Sequence, residues 1–457
     1  MTLRLALASL LLLGAAPSLA AGRFPYGGEL RLAHTGPAEP GEPALADTPT
    51  EATLLGLVSR PVCRLAPDGN PLPALARELA RPSPQVVRLT LPSPAQANAL
   101  TRAWTRLTGP EAPSPYRALL FPLRAEGRQL SATGDSLELV LAFPWPDLER
   151  ALCHPALAPP RTSPAVLGPF SPAGPTAVEA RLGWTEGRPY LDRLRLTATD
   201  ERGLSRLWSS QEVQVALGVL PDAGTTSGAA LYATYLAWSP RRVPSDFRQA
   251  VESAIDREDL TRLFVRGPAV PMPYLLPPAL LPQPQGARPV PPPAQAGRKV
   301  TLLYDTGSED QRAVAERLQV KLYERGYAVA LEPLSRAELR ARWARGDYEL
   351  MLHSLLLPPV PGPALAVVLD AAGRKDLLGV ELPRIGTLLD PAARDAKARE
   401  RALALAPSVP MLPLYAQGLA LRSAPEVGGL TFDAQGLPLL DGTWLQAAVT
   451  GVPGARR

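Results

Sequence analysis

The sequence predicts an α/β fold divided into more than one domain. Three observations carry this. Between Arg298 and Leu357 the hydrophobic period alternates strand, helix, strand, helix, strand, which implies right-handed crossovers and a mostly parallel sheet. The chain has 457 residues, a length that usually fills two or three domains. Its hydrophobic content of 46% is globular and sufficient for a large core. Proline, at 55 residues, is the anomaly; it shortens helices and favours long irregular connections.

Met1–Ala20 carries one early charge, Arg4, then the apolar run Leu5–Ala16 and the small-residue site Ser18-Leu19-Ala20. This reads as a cleavable secretory signal, too short for a comfortable membrane span. No cysteine lies near the cleavage site, so a lipid anchor is not expected. No later stretch reaches the ~18 uninterrupted apolar residues that span a bilayer. The mature chain is therefore expected in the periplasm or medium. The formal charge of +5 is small for this length and its arginines are spread throughout, which argues against a polyanion or nucleic-acid site.

Cys63 and Cys153 would sit in an oxidising compartment. A bridge between them would close a loop of about 90 residues, worth about 4–5 kcal/mol in the chain-entropy model; two buried free thiols fit the sequence equally. His34, His154 and His353 are far apart in sequence, so no metal-ligand spacing is visible and no cofactor is expected.

In order, Gly27–Ala33 alternates as a first strand. Thr50–Ser59 is a short helix with Leu54, Leu55 and Val58 on its apolar face. Arg64–Asn70 ends a strand in a turn, and Pro73–Arg77 follows. Gln85–Leu91 is a strand, Gln96–Leu107 a helix beginning near Pro94, and Leu137–Phe143 another strand stopped by Pro144-Trp145-Pro146. A Val166–Phe170 turn precedes Gly187–Asp192, which steps into a strand at Arg193–Thr197. The apolar run around Tyr232, Tyr235, Leu236 and Trp238 is strand-like. After it, Ser245 or Asp246 opens a helix whose stripe is Phe247, Ala250, Val251, Ala254 and Ile255. Asp256 caps the next helix, with Leu260, Leu263 and Phe264 as its apolar face.

Pro268–Pro293 holds eleven prolines in 26 residues and reads as an extended crossing. Val300–Tyr304 is a strand, and Ser308–Gln311 a capping box before a helix with Val314, Leu318 and Leu322 inward, stopped at Gly326. Val329–Leu331 is a strand; Ser335–Glu338 is a second capping box for a helix through Trp343, stopped at Gly346. Tyr348–Leu357 is apolar enough to be buried on both faces. Arg394–Ala406 is helical, Val409–Tyr415 is a strand, and short strands follow at Gly429–Asp433 and Leu439–Trp444 before a frayed tail.

Several of these segments share order and spacing with a known family. The strand, helix and Ala254-Ile255-Asp256-Arg257-Glu258 step resemble a signature of the extracellular solute-binding proteins of family 5, which serve peptide and nickel ABC transporters. Gly27–Arg31, Leu65–Ala76, Val166–Phe170, Gly187–Asp192 and Val409–Tyr415 resemble further blocks of the same family, so ordered resemblance covers most of Gly27–Trp444. The resemblance implies a two-lobed periplasmic-binding-protein-like fold (type II, cluster C), with mixed sheets and hinge strands between the lobes. Signal peptide would be 1–20, lobe I 21–231, lobe II 232–410 including the proline-rich crossing 268–296, and 411–457 the return to lobe I. It implies a small-molecule or peptide ligand, a membrane ABC permease as partner, and a monomer. By resemblance the ligand contacts are His34, Thr35 and Gly36 after the first strand, Trp238, and His353-Ser354. Trp238 suits hinge-side core equally, and His353 a satisfied buried histidine.

One departure stands out. Peptide binders of the family commonly place a carboxylate shortly after the strand ending at Ser354, to meet a peptide's α-ammonium. Here the chain reads Leu355-Leu356-Leu357-Pro358-Pro359-Val360-Pro361, with no acid before Asp370. An apolar, capped or uncharged ligand is as reasonable as a free peptide. No serine elbow, metalloprotease motif, P-loop or dinucleotide fingerprint appears. Asp305-Thr306-Gly307 ends a strand before a helix, where backbone N–H groups could hold an anion; its likeness to an aspartic-protease triplet lacks a paired carboxylate and the right fold context. The expected role is ligand capture for transport without catalysis. The alternative is an exported scaffold or interaction protein that kept the fold and lost its ligand, which a cleft filled by its own apolar side chains would favour.

Overall fold

The computed structural model describes residues 26–37, 41–66, 68–109, 112–123, 130–161, 165, 167–220, 225–243, 247–282 and 298–446. The signal segment, the Ser245/Asp246 cap, Val166, the proline run from 283 and the tail from 447 lie outside them. Along the chain run β1 (Glu29–Thr35), α1 (Pro49–Val58), β2 (Glu78–Ser83), β3 (Val86–Thr90), α2 (Pro94–Thr108), β4 (Leu130–Thr133) and β5 (Ser136–Val140). Then come β6 (Phe170–Pro172), β7 (Ala177–Ala180), β8 (Arg193–Thr199), α3 (Glu201–Ser209), β9 (Val215–Leu217) and β10 (Thr226–Ser227). The middle holds β11 (Tyr232–Trp238), α4 (Phe247–Ala254), α5 (Arg257–Phe264), β12 (Ala269–Pro271), β13 (Arg298–Asp305), α6 (Glu309–Tyr323), β14 (Tyr327–Leu334) and α7 (Arg336–Arg345). Last are β15 (Leu350–Leu356), α8 (Pro361–Ala371), α9 (Lys375–Gly386), α10 (Pro391–Leu405), β16 (Met411–Gln417) and β17 (Ala420–Ser423).

Two large sheets define two lobes. The first has the order β10-β17-β9-β1-β8-β7-β6, with β1 parallel to both β8 and β9. The second has the order β12-β16-β11-β15-β13-β14; β13 is parallel to β14 and β15, while β11 runs antiparallel to β15 and β16. Both sheets are therefore mixed. A four-stranded sheet, β2-β3-β5-β4, packs with α2 as a side unit, joined to lobe I through the chain because it is inserted between β1 and β6 of the first sheet.

The chain passes between the lobes twice, after β10 and after β16. The return was expected at residue 411, but β16 stays in the second sheet because its backbone completes the ladder beside β11, so the crossing falls at Gly418. The two crossings touch backbone to backbone. A Cβ on Gly418 would lie 2.4 Å from the Gly228 carbonyl oxygen, and one on Gly228 would lie 2.2 Å from that of Gly436. Only glycine permits such an approach.

Local signals mostly place the elements. Thr48 caps α1 by accepting from the Glu51 N–H, and Pro49 starts the helix. Ser335 and Glu338 form the complete capping box of α7, which ends on left-handed Gly346. Asp256 caps α5 as expected, though Leu263, assigned to the inward face, is exposed. The box at Ser308 is only half made. Its hydroxyl accepts from Gln311 N–H, but the Gln311 side chain instead accepts from the Asp305 N–H at 2.9 Å and donates to Ser354 Oγ at 2.9 Å.

The proline-rich segment departs from expectation over its described part. Ala269–Pro271 is an edge strand beside β16, where proline is tolerated. Met272, Leu275 and Leu276 then bury in the core, and Tyr235 Oη donates to the Leu275 carbonyl at 2.7 Å. The apolar residues between the prolines dock this coil onto lobe II instead of leaving it an extended crossing. Among the labelled helices α3, α8 and α9 went unread: α8 is buried along its whole length and so shows no polar face to mark a period.

Separate apolar clusters lie under the first sheet and between the second sheet and α4–α6. A third, larger one runs from the four-stranded sheet to Leu355–Leu357 and α8. Among the described residues no helix is long and apolar enough to cross a membrane.

Candidate functional site between the lobes

The parallel strands β1, β8, β9 and β13 all end toward the gap between the sheets, the place where open α/β sheets bind ligands. There the two lobes enclose an open cavity of about 300 Å³. Lobe I supplies Thr35 and Gly36 from the end of β1, Thr48–Thr50 at the start of α1, and Thr199–Glu201 at the start of α3. Lobe II supplies Tyr232, Arg266, Gly307–Asp310 and Arg336, and the floor is the crossing Gln417–Ala420.

Two arginines of lobe II bind carboxylates of both lobes. Arg336 Nη1 meets Glu51 of lobe I at 2.9 Å and its Nη2 meets Asp305 at 2.9 Å, with Asp47 of lobe I 3.6 Å from Nε. Arg340 is 3.7 Å from Asp47 and donates to the Leu45 carbonyl. Arg266 pairs with Glu201 of lobe I, with Glu309 at 3.0 Å and with Asp310 at 3.2 Å. Gln417 Nε2 donates to Asp310 at 2.9 Å, tying the hinge to this cluster.

Burial opposes the charge on Arg336, but Asp47 and the neighbouring acids outweigh it and raise its pKa. For Asp47 burial wins over Arg336 and Arg340, and its pKa rises to about 6. The contact favours the charged form of both partners, and only burial carries Asp47 the other way. Three carboxylates (Asp47, Glu51, Asp305) share two guanidiniums here, so one acid is in surplus. Asp47 has the longest contacts and is the one whose charge is least favoured, so that it takes up a proton below about pH 6.

The structure distributes the sequence-derived site residues unevenly. Thr35 and Gly36 line the cavity. His34 is buried behind them with no protein partner at Nδ1, and burial lowers its pKa to about 4. His353 and Ser354 line a separate pocket of about 30 Å³ with Asp47, Arg336 and Trp343. Ser354 Oγ is already bonded to Thr234 Oγ1 at 2.8 Å and to Gln311. His353 lies against Trp343, and burial lowers its pKa to about 4. Trp238 is not at the cavity; it packs edge-on against Phe247 under the Arg248 guanidinium in the lobe II core. Cys63 and Cys153 are joined in a disulfide. Asp305 Oδ1 accepts from the Gly307 N–H and Oδ2 pairs with Arg336, so the Asp305–Gly307 loop is satisfied by its own carboxylate.

Sequence reading missed Arg266, Arg336, Glu51, Glu201 and Asp310. Each sits in a helix first turn or a loop, where a charged residue looks like ordinary solvated surface; only tertiary pairing distinguishes it.

Beside the cavity, next to Tyr232, the end of β15 is bonded to residues of the chain before β6. The Leu356 N–H donates to Tyr116 Oη at 3.0 Å and its carbonyl lies 3.0 Å from His154 Nε2.

No family model matches the chain. No curated protein matches it either. Solved structures do. The periplasmic binding protein DppA from Helicobacter pylori, in complex with peptide STSA, is 15% identical with a TM-score of 0.76, covering 93% of this chain and 99% of that one. NikA from Staphylococcus aureus, in complex with Ni(L-His)2, is 13% identical with a TM-score of 0.71, covering 92% and 100%. The oligopeptide-binding protein AppA from Bacillus subtilis, in complex with a nonapeptide, is 14% identical with a TM-score of 0.71, covering 93% and 100%. The chain has the fold of these binding proteins over nearly its whole length.

Proposed function

We propose that this chain is an exported, monomeric solute-binding protein that captures a peptide-like or other small ligand between its lobes and hands it to an ABC permease. One observation carries the reading. Two sheets joined by two crossings leave a polar cavity at the carboxyl ends of their parallel strands. DppA and AppA, which share the fold, are complexed with peptides, and NikA with a nickel chelate. The cavity suits a compact ligand, and its carboxylates outnumber its guanidiniums, which favours a neutral or cationic solute over an anion. No turnover is proposed, because Asp305 is held by Arg336 and the Gly307 amide.

Calorimetry against short peptides, amino acids, amines and metal chelates tests this, with mass spectrometry of molecules that co-purify. A saturable ligand is expected, and Pro37→Trp, which projects into the cavity from the turn after β1, should abolish its binding. No saturable ligand in any class would refute capture. A second reading, an exported scaffold that has lost transport, is favoured by the apolar packing of Leu355–Leu357 against the four-stranded sheet. It requires that result.

A further inference from the structure

We infer that the lobes of this protein are held together without a ligand, by a junction that adjoins the hinge crossing at Leu231. The junction is made by the three-helix insert α8–α10, which lies between β15 and β16 of lobe II and packs on the side unit of lobe I. Helix α8 lies along the turn Pro115–Leu123. Two buried ion pairs cross it: Arg117 Nε to Asp370 at 2.8 Å and Arg394 Nε to Asp147 at 3.0 Å, with side-chain exposures of 9% or less throughout. Leu355, Leu356, Leu357 and Val360 have essentially no exposed surface and join one continuous apolar cluster with Val87, Leu89 and Trp104 of the side unit. The backbones themselves touch, since a Cβ on Gly386 would lie 2.5 Å from the Pro144 carbonyl oxygen.

Rotation about the crossings at 228–231 and 418–419 would have to part the contacts of α8–α10 with the side unit. A gap meant to open freely would be faced with polar groups that water can satisfy equally well. Here the facing groups are leucines and valine, whose exposure has no compensation in water, and ion pairs whose geometry is fixed by both lobes. Near the hinge, Arg336 with Glu51 and Arg266 with Glu201 add polar clasps. The ligand of such a protein reaches the 300 Å³ cavity without large lobe separation. Closure is then a property of the chain, and the inference stands whether or not a ligand is found.

Small-angle X-ray scattering and amide exchange on the mature protein, refolded from denaturant to remove any passenger molecule, test this. Expected are a single compact scattering curve matching the closed structure, and a Leu356 amide exchanging as slowly as that of Leu236 in β11. Arg117→Ala should expand the particle and speed Leu356 exchange about tenfold or more while Leu236 stays protected. The double change Arg117→Met with Asp370→Leu, which keeps bulk and removes both charges, should stay closed. An expanded curve for the wild type, or Leu356 exchanging about a hundredfold faster than Leu236 in a folded sample, overturns the inference. If Arg117→Ala does not fold, the wild-type scattering and exchange decide alone.

Discussion

Replacing Asp47 by asparagine should raise stability at pH 8 and have little effect at pH 4. The carboxyl has a folded pKa of about 6 against an unfolded value of 3.8, chiefly because it is buried. Between those values the folded state holds a proton that the unfolded state has released, so folding stability falls as pH rises from about 4 to 6 and is flat above. Two units correspond to about 3 kcal/mol; a fifth of the Asp47 side chain keeps contact with water, which trims this to about 2 kcal/mol. Asparagine keeps the shape and carries no charge. The difference in unfolding free energy between variant and wild type should therefore move by about 2 kcal/mol in favour of asparagine from pH 4 to pH 8. Urea unfolding followed by circular dichroism at both pH values measures it, and taking the difference removes Asp433, which titrates in the same sense near pH 6 because it too is buried. A variant that is instead weaker at pH 8 by about 2 kcal/mol would mean that Arg336 and Arg340 more than repay the burial, and the surplus-acid argument fails.

Two further outcomes follow. Gly418→Ala should cost about 2–4 kcal/mol or prevent folding, because its Cβ meets the Gly228 carbonyl at 2.4 Å, whereas Gly183→Ala, with nothing within 4 Å, should be nearly neutral; equal melting temperatures would show that the crossings have slack. Reducing the Cys63–Cys153 bridge, which spans 90 residues, should lower stability by about 4–5 kcal/mol, seen as a drop in melting temperature with a reductant that the Cys63→Ala/Cys153→Ala variant does not show.

How much was legible follows from the range of each signal. The unit β13–α6–β14–α7–β15 could be read because every device in it is local: Ser335 with Glu338, the Gly346 stop, and the stripe Val314, Leu318, Leu322. The turn after β1 is assigned to the ligand by resemblance alone, and its Thr35 and Gly36, but not His34, line the cavity, where strand ends of an α/β sheet bind ligands. Trp238 could not be placed, since an aromatic in a strand looks the same facing a ligand or facing Phe247. The clasps of Arg336 and Arg266 were invisible: Glu51 and Arg336 are 285 residues apart, and neither has a neighbour in sequence that announces the pair. Helix α8 was hidden for the opposite reason, being buried on every side.

The absent carboxylate after Ser354 now has a structural cause. The chain spends Leu355–Val360 on the junction, and the first acid to follow, Asp370, faces Arg117 within that junction, not the cavity. Restoring an acid should therefore cost stability and gain no peptide. Leu357 is fully buried, and its N–H bonds the Leu231 carbonyl at 2.9 Å. In Leu357→Asp a carboxylate would enter this apolar packing in place of a leucine. Loss of the leucine costs about 2–5 kcal/mol, and the buried charge adds several more unless the carboxyl stays protonated. The variant is expected to unfold at much lower urea, with the deficit shrinking toward pH 4 as the carboxyl accepts a proton. A stable Leu357→Asp protein that binds a free peptide at neutral pH would show that this region faces an open ligand groove, and the junction would have to be abandoned.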